Sequence, residues 1–159
     1  QSLAAFVAQN YGAGKMERAT QALRYAILIA VCLGCVMSYG AWFHGDALSG
    51  LFSQNSRIIE ASWDYLRAYA IDCILTPVFF CFIGFYNGMG QTRFVMLQGI
   101  LSAFLVRVPV SYAMSWWQPV SLFHIGLATP LSSLLQIGLA FWFYRYLQRK
   151  RRQRILKTA

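Results

Sequence analysis

The run YAILIAVCLGCVMSYGAWF, Tyr25 to Phe43, holds no charged residue and is bounded by Arg24 and His44. A helix needs about 20 predominantly apolar residues to cross the roughly 30 Å hydrocarbon core of a bilayer, and this run has that length. Three comparable stretches follow it: Ala68 to Thr92, with a single acid at Asp72; Phe94 to Trp117, interrupted only by Arg107; and Ile125 to Tyr144. Four such spans occupy most of the chain, so the expected fold class is an all-α integral membrane protein.

Composition excludes the other classes. Charged residues make up 12% of the 159 residues and hydrophobic ones 58%, whereas about 25% charged is usual for a soluble domain. A solvated surface cannot be built from this. Disorder is excluded by the aromatic content of 16%, because so much apolar surface does not remain in water. The net charge of +9 would point to nucleic acid in a soluble chain, but its distribution points to lipid instead.

Lys15, Arg18 and Arg24 precede the first span, Arg93 lies between the second and third, and seven more basic residues follow the fourth, from Arg145 to Lys157. An even number of crossings separates these segments, so all three share one side, and basic residues near span ends are retained in the cytoplasm. Both termini are therefore expected there. The tail 145–159 reads as a topology anchor that touches anionic lipid, with no nucleic-acid partner. Trp42, Trp116, Trp117, Trp142 and Tyr144 fall at span ends, as belt residues do.

Between the first two spans, His44 to Ser56 carries Gly45, Asp46, Gly50 and Asn55 and reads as a loop. Ser56 is a candidate N-cap for the following helix. Over Arg57 to Arg67, Ile59, Trp63 and Leu66 share one helical face and Glu60 and Asp64 another, which predicts an amphipathic lead-in lying at the interface.

Cys32 and Cys35 make a Cys-x-x-Cys, but in mid-span no polar neighbour lowers a thiol pKa, so they are expected to pack as small residues, as are Cys73 and Cys81. His44 and His124 lie far apart in outward loops, and no metal site is expected. With no phosphate loop, nucleophile elbow or carboxylate pair at ligand spacing, the chain reads as non-enzymatic.

Ionisable groups inside spans carry more information, since a charged residue at mid-bilayer costs at least about 2.5–3.5 kcal/mol. Asp72 is open to two readings: an ion pair with Arg67 near the interface, or a place in an ion or substrate pathway. Arg107 lies deeper, satisfied by carbonyls and hydroxyls of neighbouring helices or facing a cavity. Pro77, Pro109 and Pro130 each leave the carbonyl four residues earlier without its helical donor, at Cys73, Leu105 and Gly126, which predicts bends in three helices. Gly84 and Gly88 form a Gly-x-x-x-Gly, which permits close helix contact.

The stretches between spans carry a signature. The run AQNYGAGKMERA (Ala8 to Ala19), the Tyr65-Leu66-Arg67 triplet, the turn NGMGQTR (Asn87 to Arg93) and RVPVSY (Arg107 to Tyr112) together resemble the multidrug and toxic compound extrusion (MATE) family. Gly12 and Gly14 stop an incoming helix whose last carbonyls Gln9 and Asn10 can satisfy, and Gly88 and Gly90 form a similar turn. The resemblance implies two six-helix lobes around a cavity that opens alternately to either side. Gln1 to Asn10 then looks like the end of a lobe's second helix, and the four spans like the rest of that lobe. The chain, which starts at Gln1 rather than Met, reads as a fragment, with the C-terminal lobe favoured because no span follows the basic tail.

The resemblance implies a secondary active antiporter that exports bulky cationic or amphipathic drug-like compounds in exchange for Na⁺ or H⁺, in a bacterial-type inner membrane. No cofactor besides the coupling ion is implied, and the partners are membrane lipid, the substrate and the remainder of the transporter. A lipid-linked saccharide flippase is the alternative. NorM-type members carry an acid about twelve residues before the glycine matching Gly88; here that position is Thr76, with Asp72 one turn earlier, which leans toward the DinF-like branch. Asp72, Thr76 and Arg107 are the candidate transport-pathway residues.

Overall fold

The computed structural model describes residues 1–45, 49, 55–116 and 126–158. Six α-helices make up nearly all of these: α1 (Ser2–Gly12), α2 (Met16–Phe43), α3 (Ser56–Gly88), α4 (Thr92–Ser102), α5 (Val108–Trp116) and α6 (Ala128–Thr158), with a π-helical turn, Ala103–Arg107, joining α4 to α5. Asp46, Gly50, Trp117, His124 and Ile125, which entered the sequence reading as loop, belt or span residues, lie outside the described residues. So do the side chains of Ser56, Arg57 and Glu60.

Three helical stretches are long and apolar enough to cross a membrane: Met16–Phe43, Ser62–Gly88 and Thr92–Met114. They correspond to the first three expected spans with shifted limits. The second begins earlier than Ala68 and ends at Gly88, not Thr92, because the expected interfacial lead-in at 57–67 is continuous with α3. The cap also moves: the Ile59 N–H donates to the Asn55 carbonyl, so Asn55 occupies the cap position and Ser56 is already in the first turn. The fourth expected span, 125–144, does not meet the same measure among the described residues. Ile125 lies outside the described residues and helix α6 begins at Ala128, so the stretch measured there lacks the apolar start of the expected run. The basic tail is no separate segment, since α6 continues through it to Thr158.

Helices α1 and α3 end in the same way. Lys15 N–H reaches back to the Asn10 carbonyl and Gly14 N–H to that of Tyr11; after α3, Gln91 N–H reaches Tyr86 and Gly90 N–H reaches Asn87. This is the Schellman arrangement, which requires a left-handed residue that glycine adopts without penalty. The φ angles are +72° at Gly14 and +73° at Gly90. Asn10 adds a side-chain bond of 2.8 Å to the Phe6 carbonyl. Gly14, Gln91 and the Lys150–Arg151 end of α6 line one cavity, so the basic segments flanking the spans gather at one end of the bundle.

That end also holds the main core, where Val7, Leu23, Phe82, Phe85, Tyr86 and Met89 are buried. The Phe94 and Phe143 rings stack with centroids 3.8 Å apart, and Tyr86 meets both edge-on at 5.4 Å. Such aromatic pairs add about 0.5–1.5 kcal/mol each beyond area burial. Gly88 is where α1 crosses α3: a Cβ there would stand 2.6 Å from the Ala4 carbonyl oxygen and 2.7 Å from Val7 Cβ. Elsewhere the helices are apolar toward the outside. Along α2, Leu28, Ile29, Leu33, Val36 and Met37 are exposed, as a helix with lipid for a solvent must be. Cys32 and Cys35 are exposed too, and so are not the packing residues expected.

The three prolines behave differently. Pro77 lies inside α3, which continues past it. The Cys73 carbonyl it deprives of a donor is turned toward α2, where only the missing side chain of Gly34 makes room: a Cβ there would lie 2.6 Å from that oxygen. Pro109 follows the π-helical turn, whose extra residue moves the proline out of the α-helical ladder. Pro130 stands in the first turn of α6, where a missing N–H costs nothing, so it does not bend the interior of a span as expected.

Candidate functional site

Asp72 lies three residues from the middle of Ser62–Gly88, about 4.5 Å along the axis, and is only 2% exposed. The interfacial placement read from its distance to Ala68 is therefore replaced by a deep one, because the apolar helical stretch starts at Ser62 rather than Ala68. A carboxylate at this depth requires donors. It has two: Thr76 Oγ1 donates to Oδ2 at 2.7 Å from the next turn of α3, and Ser133 Oγ donates to Oδ1 at 2.5 Å from α6. The expected pair with Arg67 does not form among the described residues. The Arg67 guanidinium instead lies over the Trp63 ring, 4.3 Å from its centroid, and its buried Nε finds no hydrogen-bond partner.

The contact between Asp72 and Ser133 is the upper rung of a polar seam along α6. Ser132, on the adjoining face, meets Ser102 of α4, the two hydroxyls 2.8 Å apart. One turn on, Gln98 Nε2 donates to the Gln136 carbonyl, and one turn further Tyr86 OH donates to that of Ala140. Ser132, Gln136 and Ala140 recur every four residues and thus stand on one stripe of the helix. In a medium without water these bonds fix the helices relative to one another more firmly than apolar packing alone. Ser102 is fully buried.

Arg107 stands apart from this seam. It closes the π-helical turn and is exposed, with no hydrogen bond to a neighbouring helix among the described residues, which does not match the first of its two readings, a cation satisfied by neighbouring helices. Its charge and that of Asp72 both act on the Tyr69 hydroxyl, which places Arg107 on the Asp72 side of the bundle. Of the three candidate pathway residues, the structure thus joins Asp72 to Thr76 directly, while Arg107 is related to them only through Tyr69, on which both charges act. Ser133 and Ser102 were missed in the sequence. Polar side chains at Ser132, Ser133 and Gln136 within an otherwise apolar stretch were the available signal, but serine is common in membrane helices and only the fold shows which acid it meets.

The signature positions are not part of this cluster. Gln9, Asn10, Gly12, Gly14, Gly88 and Gly90 lie at the two turns and the α1–α3 crossing, and so set the end of the bundle opposite Trp63 and Arg67.

The MatE family model matches residues 1–113. The chain is 28% identical over 108 residues to the multidrug resistance protein PmpM of Pseudomonas aeruginosa, covering 68% of this chain and 22% of that protein. It is 31% identical over 155 residues to a probable multidrug resistance protein NorM of Xylella fastidiosa strain 9a5c, covering 95% of this chain and 32% of the relative. The corresponding protein of strain Temecula1 gives the same figures. The chain thus spans about a third or less of the length of these curated relatives. Two of them bear the NorM name, so the leaning toward a DinF-like branch finds no support among them. No solved structure matches the chain.

Proposed function

Since the chain belongs to the MatE family, and so to a multi-pass membrane protein, we propose that it forms part of one lobe of a secondary multidrug transporter. That transporter exports bulky cationic or amphipathic compounds in exchange for Na⁺ or H⁺, with the basic end of the bundle in the cytoplasm. The observation that carries this reading is Asp72. It is a carboxylate deep in a span, held by the Thr76 and Ser133 hydroxyls and matched by no basic side chain among the described residues. A lone buried acid of this kind gains from a proton or a metal cation, and an acid that exchanges the two environments is what ion coupling needs.

Thr76 stands where NorM-type members place their acid, and its hydroxyl is bonded to Asp72. In this reading the negative charge has moved about one turn, roughly 5.4 Å, along α3. Arg107 then contributes to the field around Asp72 rather than to the ion's coordination.

The test is dye efflux in cells that express the full-length protein. Asp72→Asn keeps the shape and one acceptor oxygen but removes the charge. Efflux of a cationic dye is expected to fall to the level of the empty vector, at unchanged amounts of membrane protein. Full efflux in a well-expressed Asp72→Asn protein would remove Asp72 from the pathway. Failure of the wild-type protein to move any cationic dye, with transport of a lipid-linked saccharide instead, would replace the substrate class.

A further inference from the structure

The geometry points to a binding site for an anionic phospholipid at the basic end of the bundle. A cavity of about 580 Å³ opens there between the two glycine turns and α6. Its floor is apolar, built from Met16, Phe85, Met89 and Leu147, and its rim carries Lys150, Arg151, Gln91 and Gln148. Among the described residues no carboxylate lines it. Glu17 lines a neighbouring cavity together with Arg24 and Arg149.

This distribution fits one ligand chemistry. Two adjacent cations on a rim suit a phosphodiester, with the guanidinium able to take two of its oxygens. The amide of Gln91, and the second amide hydrogen of Gln148, whose Nε2 also donates to the Tyr144 hydroxyl, supply neutral donors for ester or glycerol oxygens. An apolar floor of this size has no use for free phosphate, but suits the first methylenes of an acyl chain. The position is also right for a lipid, since Gly14 and Gly90 end helices whose partners α2 and α4 enter the apolar stretch directly. A basic pocket between helices on the side facing an acidic leaflet is the physical form such recognition takes. The site depends on the membrane reading of the spans and not on any transport activity.

The experiment uses the full-length protein in a neutral detergent, with phosphatidylglycerol or phosphatidylcholine added and retained lipid counted by native mass spectrometry. The expected result is a preference for phosphatidylglycerol that weakens at least tenfold in a Lys150→Gln/Arg151→Gln variant. Arg18→Gln/Arg93→Gln, which removes the same charge at the same end but outside the cavity, should change it by less than about threefold, as screened surface charges do. Circular dichroism melting of both variants checks that each is folded, and Leu147→Gln provides a second variant that tests the floor without touching charge. Equal losses in the two charge variants would overturn the proposal in favour of general attraction. Equal retention of both lipids, displacement of phosphatidylglycerol by inorganic phosphate at the same concentration, or absence of any retained lipid would overturn it as well.

Discussion

Replacing Gly34 by alanine tests whether the α2–α3 contact rests on the carbonyl that Pro77 sets free. The added Cβ would stand 2.6 Å from the Cys73 oxygen and 3.2 Å from Ile74 Cα. Both are backbone atoms in the middle of a long helix, so neither can rotate away, and the helices must separate. Overpacking of this kind costs about 1–3 kcal/mol. Against it stands the better helix propensity of alanine, worth up to about 1 kcal/mol. Gly40→Ala, six residues further along α2, isolates the steric part, because a Cβ there meets nothing within 4 Å while the propensity gain is the same. Equilibrium unfolding of the two variants in mixed micelles, followed by tryptophan fluorescence, should therefore place Gly34→Ala about 1–3 kcal/mol below Gly40→Ala. Equal stabilities, or a more stable Gly34→Ala protein, would refute the packing of that carbonyl against Gly34.

Ser133→Ala takes away one of the two donors to Asp72, leaving a buried carboxylate oxygen unsatisfied at a cost of about 1–3 kcal/mol; the same unfolding measurement reads the loss, and Ser133→Thr, which keeps the hydroxyl, should recover most of it. Gly90→Ala forces a side chain into the left-handed region at φ +73° and should destabilise by about 1–2 kcal/mol. Gly99→Ala, in the following helix with open space around its Cβ position, should not destabilise.

The lipid-soluble helical class was legible in the sequence because it rests on run length and charge alone. Tyr25 to Phe43 needs no tertiary information to be recognised. The turns at Gly14 and Gly90 were legible for a similar reason, since a left-handed position selects its residue locally. What could not be read was anything decided by which helix lies beside which. The start of the second span was placed at Ala68 because Arg57, Arg67 and the acids between them read as an interface, whereas Trp63 and Arg67 cover one another and the apolar helical stretch begins at Ser62. One of the two readings of Asp72 paired it with Arg67 from proximity in sequence, while one of its two donors, Ser133, lies 61 residues away. In the fourth stretch the apolar run was legible, but not that Ser132 and Ser133 turn toward protein.

Helix α3 has 33 residues and is about 50 Å long, while the hydrocarbon it traverses is about 30 Å thick. Such a rod must emerge at one surface or lean. Asp72 is about 24 Å along the axis from Gly88, so going from upright to a lean of about 40°, the upper end of the usual range, changes its depth by about 6 Å. Rocking this rod about its glycine foot would carry the carboxylate vertically by as much as a full helical turn, and α6 would have to travel with it for the bond from Ser133 to hold.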